Sequence, residues 1–411
     1  MNTNQPLLPN VGVIGLVPDH WDPHWQVRHH VLSRLAGYFS VVWMNYPSGW
    51  RGILSPRHRH RAKLADHPVT PEGLQIYEPE LWLPRLSRPA WLAHFVSRQR
   101  LKRACAMLRA RGCTRVVLYV WRPEFAHALE EVTHDLSVYH VDDEYSFSPT
   151  EVEMSRAERG LLKSAGQVFI HSPALMERKG RLNPNTDFVP NGVDYPLYAT
   201  AVAEPEDLRH IPHPRIGYVG YLKRMLDWPL LLELSRTHPQ WSFVFVGPKS
   251  SHADIEDTLQ QMRQLPNVYF LGGKPTEGLG AYPQHFDVCL MPYRLDDYTK
   301  CIYPLKLHEY LASARPVVSA PIRSVLEFSH VVTIASSCEE WSRAIERALS
   351  AEENSQGRRV ERQMVAHQHD WAGLVDRIAR TIAKRLDLQI PDAVVEQHDS
   401  ADCSTPTGQL H

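Results

Sequence analysis

Short apolar runs rich in valine, isoleucine and tyrosine alternate along the chain with longer amphipathic stretches, a pattern that predicts βαβ units and a parallel sheet. In the first half the runs are VGVIGLV (11–17), FSVVWMNY (39–46), TRVVLYVW (114–121), LSVYHVDD (136–143), GQVFIHS (166–172) and TDFVPNG (186–192). The second half repeats the pattern with PRIGYVGY (214–221), WSFVFVGP (241–248), NVYFLGG (267–273), FDVCLMPY (286–293), ARPVVSA (314–320) and VVTIAS (331–336). One architecture recurs without a repeated sequence. Between the halves, prolines and mixed charges displace the periodicity, as in a linker. The expected organisation is a Rossmann-like domain over 1–197, a linker over 198–212 and a second Rossmann-like domain over 213–365. A helix over 366–386 is expected to cross back onto the first domain. Residues 387–411 lose the pattern and read as a disordered tail.

Length agrees, because 411 residues exceed the size at which one core keeps growing. Hydrophobic residues make up 43% and the formal net charge is −1, so nothing global advertises nucleic acid. On no evident sheet face do aromatic residues interleave with the charges as single-stranded nucleic acid needs. The six cysteines form no C-x-x-C pair, which suits a reducing cytoplasm. The first residues show no basic segment followed by a long apolar run, and no uncharged stretch approaches the ~20 residues that span a bilayer. A cytoplasmic protein is expected.

Two facing parallel sheets bind ligands at the carboxyl ends of their strands. The dinucleotide fingerprint G-x-G-x-x-G is absent, which leaves a nucleotide sugar or a sugar phosphate as occupant. Gly15 in GVIG reads equally as a packing or a binding glycine, whereas Gly220, followed by YLKR, points to a site. In YPLKLHEYLASARPVVS (303–319), Pro304 suits a first helical position, and the free N–H groups there favour a diphosphate. The Glu309 carboxylate offers two oxygens to two ribose hydroxyls. Lys306 and Glu309, three residues apart, also read as a surface ion pair.

That segment resembles the nucleotide-sugar segment of retaining glycosyltransferases of family 4, which have the GT-B fold and often read P-x-K-x-x-E-Y-L-A-x-x-x-P-V-V. Further similarity follows in the family's order, through VFIHSPALMERKGRLNPNTDFVPNGVD (168–194), PRIGYVGYLKRMLDWPLLLELSRTHPQWSFVFVGP (214–248) and NVYFLGGKPTEGLGAYPQHFDVCLMPYR (267–294). The likeness is strong from about Gln167 to Ser319, and is closest to bacterial cell-surface polysaccharide transferases, including the teichuronic acid type. It implies transfer, with retention, of a sugar from a UDP- or GDP-linked donor to a saccharide or lipid-linked saccharide, without a separate cofactor. Two relatives of that activity stay open: a GT-B nucleotide-sugar epimerase and a catalytically silent nucleotide-sugar binder.

By the same resemblance Glu309 holds the ribose, Pro304, Leu305 and Lys306 border the diphosphate and sugar, and Gly220 lets the phosphate approach the backbone. The family places an arginine and a lysine after that glycine; here Lys223 and Arg224 stand at altered spacing, with Arg224 preferred because its fork matches phosphate oxygens. A second family glutamate, eight positions before the one matched by Glu309, is replaced by Cys301. The donor sugar must then be held otherwise, by Asp296, Asp297 or backbone amides. After the fourth strand, where the family often has a histidine, VYHVDDEYS offers His140, Asp142 and Asp143; His140 reads as a packed strand residue, Asp142 as the catalytic candidate and Asp143 as a helix N-cap. No metal is expected, since no D-x-D follows a strand and the histidine-rich HRHR (58–61) and HQHD (367–370) lack partners at coordinating spacing.

Residues 51–63 carry four arginines, a lysine and two histidines without an acid, 97–112 are again basic, and the intervening LWLPRLSRPAWLAHFV is apolar with two tryptophans. This combination reads either as a surface that lies on the anionic inner face of the membrane or as a crossover helix beside a solvated loop.

Overall fold

The computed structural model describes residues 5–21, 25–47, 70–86, 88–145, 154–249 and 255–391. The 51–63 stretch and the end of the tail, from residue 392, lie outside them. Seven strands, β1 (Leu8–Leu16), β2 (Phe39–Met44), β3 (Leu74–Tyr77), β4 (Arg115–Val120), β5 (Leu136–Val141), β6 (Gln167–Ile170) and β7 (Thr186–Phe188), form one sheet in the order 3-2-1-4-5-6-7. Six more, β8 (Arg215–Val219), β9 (Ser242–Val246), β10 (Val268–Gly272), β11 (Val288–Met291), β12 (Val317–Ser319) and β13 (Val332–Ile334), form a second in the order 10-9-8-11-12-13. Every ladder is parallel. Each apolar run read as a strand forms one, and β3 is an addition.

Parallel strands are covered by helices on both faces, which is why they read as unbroken apolar runs. All six residues of β2 and all five of β8 and β9 are buried. The glycines of β1 serve this covering. A Cβ at Gly12 would meet Leu108 at 2.6 Å, and one at Gly15 would meet Leu32 at 2.5 Å. Their absence lets α1 (Val27–Leu35) and α2 (Ala90–Ala110) sit close on this interior strand. Gly15 is thus a packing residue.

Segment 198–212 is tied to the second sheet. Leu208 and Ile211 are buried in its core, and the Arg215 guanidinium donates to both of their carbonyls at 2.8 Å. After the second sheet the chain returns through α3 (Trp371–Arg385), capped by Asp370, whose carboxylate accepts the Ala372 N–H at 2.6 Å. Its residues Trp371, Leu374, Val375, Ile378 and Ile382 recur every three or four positions and belong to the core of the first sheet. Burying each of the larger ones contributes roughly 1.5–3 kcal/mol. The two crossing segments run side by side: Val193 N–H donates to His369 O (3.0 Å) and Trp371 N–H to Val193 O (2.9 Å). Among the described residues no helix is long and apolar enough to cross a membrane.

Candidate functional site

In the second sheet the strand order reverses between β8 and β11, and the crevice at such a reversal is where open α/β sheets hold ligands. The chain leaves β8 through Gly220, at φ +142°, a conformation that side-chain-bearing residues rarely adopt. A Cβ there would stand 2.3 Å from Lys306 Cε and 2.5 Å from Nζ. The Lys306 amine therefore occupies the space that a side chain at Gly220 would need, 5.3 Å from the Tyr218 ring centre. The neighbouring strand repeats the device. Gly247 ends β9 at φ +143°, and a Cβ on it would meet Gly220 O at 2.1 Å. Replacing Gly220 by alanine is expected to cost about 1–3 kcal/mol, read by urea denaturation, because the methyl strains the backbone and evicts the ammonium. An unchanged midpoint would show that the lysine simply swings away and the backbone relaxes.

Lys306 opens a helix of seven residues, Lys306–Ala312, with Leu305 at its N-cap. Pro304 thus precedes the helix instead of beginning it, and its carbonyl accepts the Leu307 N–H at 3.2 Å. So short a helix leaves side-chain charge, more than a helix dipole, to define the site. Glu309 lies one turn on, partly buried. Burial pushes its carboxyl up, against the attraction of Lys306 and a hydrogen bond from the Tyr198 hydroxyl. No ion pair joins Lys306 to Glu309 among the described residues, so the surface-pair reading of these two does not hold.

Lys223 follows in the turn after β8, its Nζ 5.4 Å from the Tyr221 ring centre. Desolvation lowers its pKa, and so does the like charge of Lys306, while Asp143 acts the other way. The two ammonium groups thus lie near enough to repel, and among the described residues neither pairs with a carboxylate within 4 Å. Arg224, preferred from the sequence for its fork, is exposed, as Lys223 is, and makes no ion pair among the described residues. The next helix starts at Trp228, capped by Asp227, whose Oδ1 accepts the Leu230 N–H at 3.1 Å.

Across the cleft, β5 ends in the two aspartates. Asp142, the catalytic candidate by sequence, turns inward: its side chain is 5% exposed, pairs with Arg28 at the start of α1 and accepts the Tyr145 hydroxyl. Burial raises its pKa, but Arg28 and the Tyr145 hydrogen bond outweigh that and hold it below the usual carboxylate range. Asp143 is the carboxyl that reaches the second domain. Burial and the Asp142 charge push it up, while a hydrogen bond with Tyr298 pulls it down. Its Oδ1 accepts the Glu144 N–H at 2.8 Å. Among the described residues the next helix, Arg156–Ser164, is capped by Ser155. His140 is a packed strand residue, stacked on Trp121 at 4.3 Å and hydrogen-bonded through Nδ1 to Tyr119 at 2.9 Å, and burial pushes it down to about 3.

Cys301 is buried against the first domain, where Arg178 approaches its sulfur at 3.6 Å and also pairs with Glu144 at 3.3 Å. Neither aspartate suggested in compensation enters the site. Asp296 caps a turn, accepting the Thr299 N–H at 2.8 Å, and Asp297 pairs with Lys300 at 3.0 Å on the surface. Tyr198, Tyr218 and Tyr298 were missed by sequence reasoning and lie around the group. Gly247 was missed as well, although its strand ends in VG as that of Gly220 does.

Residues 213–351 match the family described as glycosyl transferases group 1. Over 207 residues the chain is 27% identical to a Bacillus subtilis (strain 168) protein named as the teichuronic acid biosynthesis glycosyltransferase TuaH, covering 47% of this chain and 49% of that protein. The chain thus matches about half the length of this curated relative. Among solved structures, Anabaena Alr3699/HepE in complex with UDP and glucose superposes with a TM-score of 0.65 at 16% identity, covering 91% of this chain and 99% of the other. WaaG, a glycosyltransferase involved in lipopolysaccharide biosynthesis, does so with a TM-score of 0.59 at 12% identity, covering 90% and 99%. The fold is GT-B.

Proposed function

We propose that this chain is a retaining glycosyltransferase of family 4, which moves a sugar from a UDP- or GDP-linked donor to a saccharide or lipid-linked saccharide in bacterial surface polysaccharide synthesis. The observation that carries the reading is the convergence of Lys223 and Lys306, without a carboxylate partner among the described residues, beside Gly220 at the carboxyl edge of the second sheet. Like charges held together stabilise an anion that enters between them, and a nucleoside diphosphate supplies it. The group 1 match covers this same sheet, and the HepE and teichuronic acid relatives point to UDP and to surface polysaccharide.

In this reading the two lysines offset the charge that develops on the departing diphosphate, a stabilisation that strengthens in the transition state. Glu309, set by Tyr198, accepts the ribose hydroxyls, and Pro304 and Leu305 border the diphosphate. Asp143 replaces Asp142 as the carboxyl nearest the reaction and orients the acceptor hydroxyl, while Asp142 acts through Arg28 to hold the end of β5. Arg224 is left at the rim. Retention follows when the acceptor hydroxyl approaches on the face that the diphosphate leaves, held there by fixed geometry.

Incubating the protein with UDP- and GDP-sugars, with and without saccharide acceptors, and following free nucleotide tests this directly. The expected result is acceptor-dependent release, with a product whose anomeric proton coupling matches that of the donor. A donor sugar altered at a ring carbon without any acceptor would instead indicate an epimerase, and binding without turnover a silent member.

A further inference from the structure

We infer that the exposed face of α2, together with the turn at Leu81 and Trp82, is a docking surface for an anionic lipid membrane. Leu81, Trp82, Trp91 and Phe95 are 61%, 64%, 71% and 53% exposed, the group of large exposed apolar side chains among the described residues of the first domain. On α2 the exposed positions 91, 95, 98, 102 and 109 form a stripe about 60° wide at 100° per residue, within a broader exposed face that also includes 90, 94, 103, 106 and 110. That stripe is aromatic at one end (Trp91, Phe95) and cationic at the other (Arg98, Lys102, Arg109). The opposite face, with Val96, Leu101, Ala104 and Leu108, is buried against the sheet.

The turn is fixed beside the helix. Arg100 donates to Leu83 O at 3.4 Å, Arg103 pairs with Glu80 at 3.0 Å, and the Arg103 guanidinium lies 5.2 Å from the Trp82 ring centre. Trp82 is thereby held at the surface. Helix α2 contains five basic residues and no acid in a chain whose net charge is −1, so the positive charge is concentrated here.

Tryptophan and phenylalanine at the level of the headgroups, with arginine and lysine beside them, match the chemistry of an anionic bilayer interface. A second copy of the chain fits poorly, since a twofold contact would bring two cationic stripes together. The inference goes beyond the transferase reading and does not depend on it, because vesicle binding is measured without donor or acceptor.

The test is co-sedimentation with vesicles of phosphatidylcholine and phosphatidylglycerol in equal parts, and with phosphatidylcholine alone. Binding is expected to the anionic vesicles at low salt, weakened at least tenfold at 0.5 M salt by screening. Trp91→Ser with Phe95→Ser is expected to lower vesicle affinity tenfold or more while the melting temperature stays near that of the unmodified protein. Absent binding, equal binding to both vesicles, or an unaffected double variant overturns the inference. So does a dimer in solution that the double variant dissolves, which would make the face a contact between copies.

Discussion

Glu309→Gln is expected to weaken donor binding roughly tenfold to a hundredfold, because a hydrogen bond to a charged group contributes on the order of 1.5–3 kcal/mol. Without donor the variant should melt at the same temperature or higher. The reason is the sign of the shift: burial raises the folded-state pKa of Glu309 above its unfolded value, so the folded protein binds this proton more tightly than the unfolded chain does. The ionised carboxylate therefore costs stability. That cost is absent below the ordinary carboxylate range and appears as pH rises through the folded pKa. Glutamine removes it, so the variant's advantage without donor should vanish in acid. Titration calorimetry and thermal melts on one preparation read both quantities, and undiminished affinity would take Glu309 out of the site.

Arg28→Ala is expected to lower stability by about 3–5 kcal/mol in urea denaturation, the penalty for leaving a buried partner charge unpaired. Arg28 and Asp142 are 6% and 5% exposed, and Arg28 also bonds Asp19 at 2.5 Å and Gln26 at 2.5 Å. The arginine so joins the loop after β1, the start of α1 and the end of β5. Asp142 gives the pH signature. Its pKa is held below the usual value in the folded state, so its contribution is present above the unfolded pKa and is lost as pH falls through the folded one. Asp142→Asn should accordingly be less stable than the unmodified protein at neutral pH and approach it in acid. A loss under 1 kcal/mol for Arg28→Ala would mean that water reaches the pair.

The fold was legible because parallel strands covered on both faces read as near-continuous apolar runs, as β2, β8, β9 and β11 do. Strand β3 escaped because LQIY is four residues long, with Gln75 exposed between the buried Leu74 and Tyr77. The site was half legible. Gly220, Lys306 and Glu309 lie in local motifs, strand–glycine and P-x-K-x-x-E, whose chemistry depends on near neighbours. Asp142 and Asp143 differ by one position at a strand end, and successive side chains there point opposite ways. Which one faces the cleft depends on how Arg28, 114 residues away, packs. In sequence the guanidinium fork favours Arg224 over Lys223, but both precede the helix that Asp227 caps at Trp228, so no local periodicity separates them. Tyr198 and Tyr298 reach Glu309 and Asp143 only through the tertiary fold, so no local pattern marks them.

A crystal structure with a UDP- or GDP-sugar bound tests the central claim most directly. The expected result is a diphosphate lying against Gly220, within hydrogen-bond distance of both Lys223 Nζ and Lys306 Nζ, with the ribose hydroxyls on Glu309. A nucleotide bound at the first sheet, or one that leaves both lysines untouched, would contradict it.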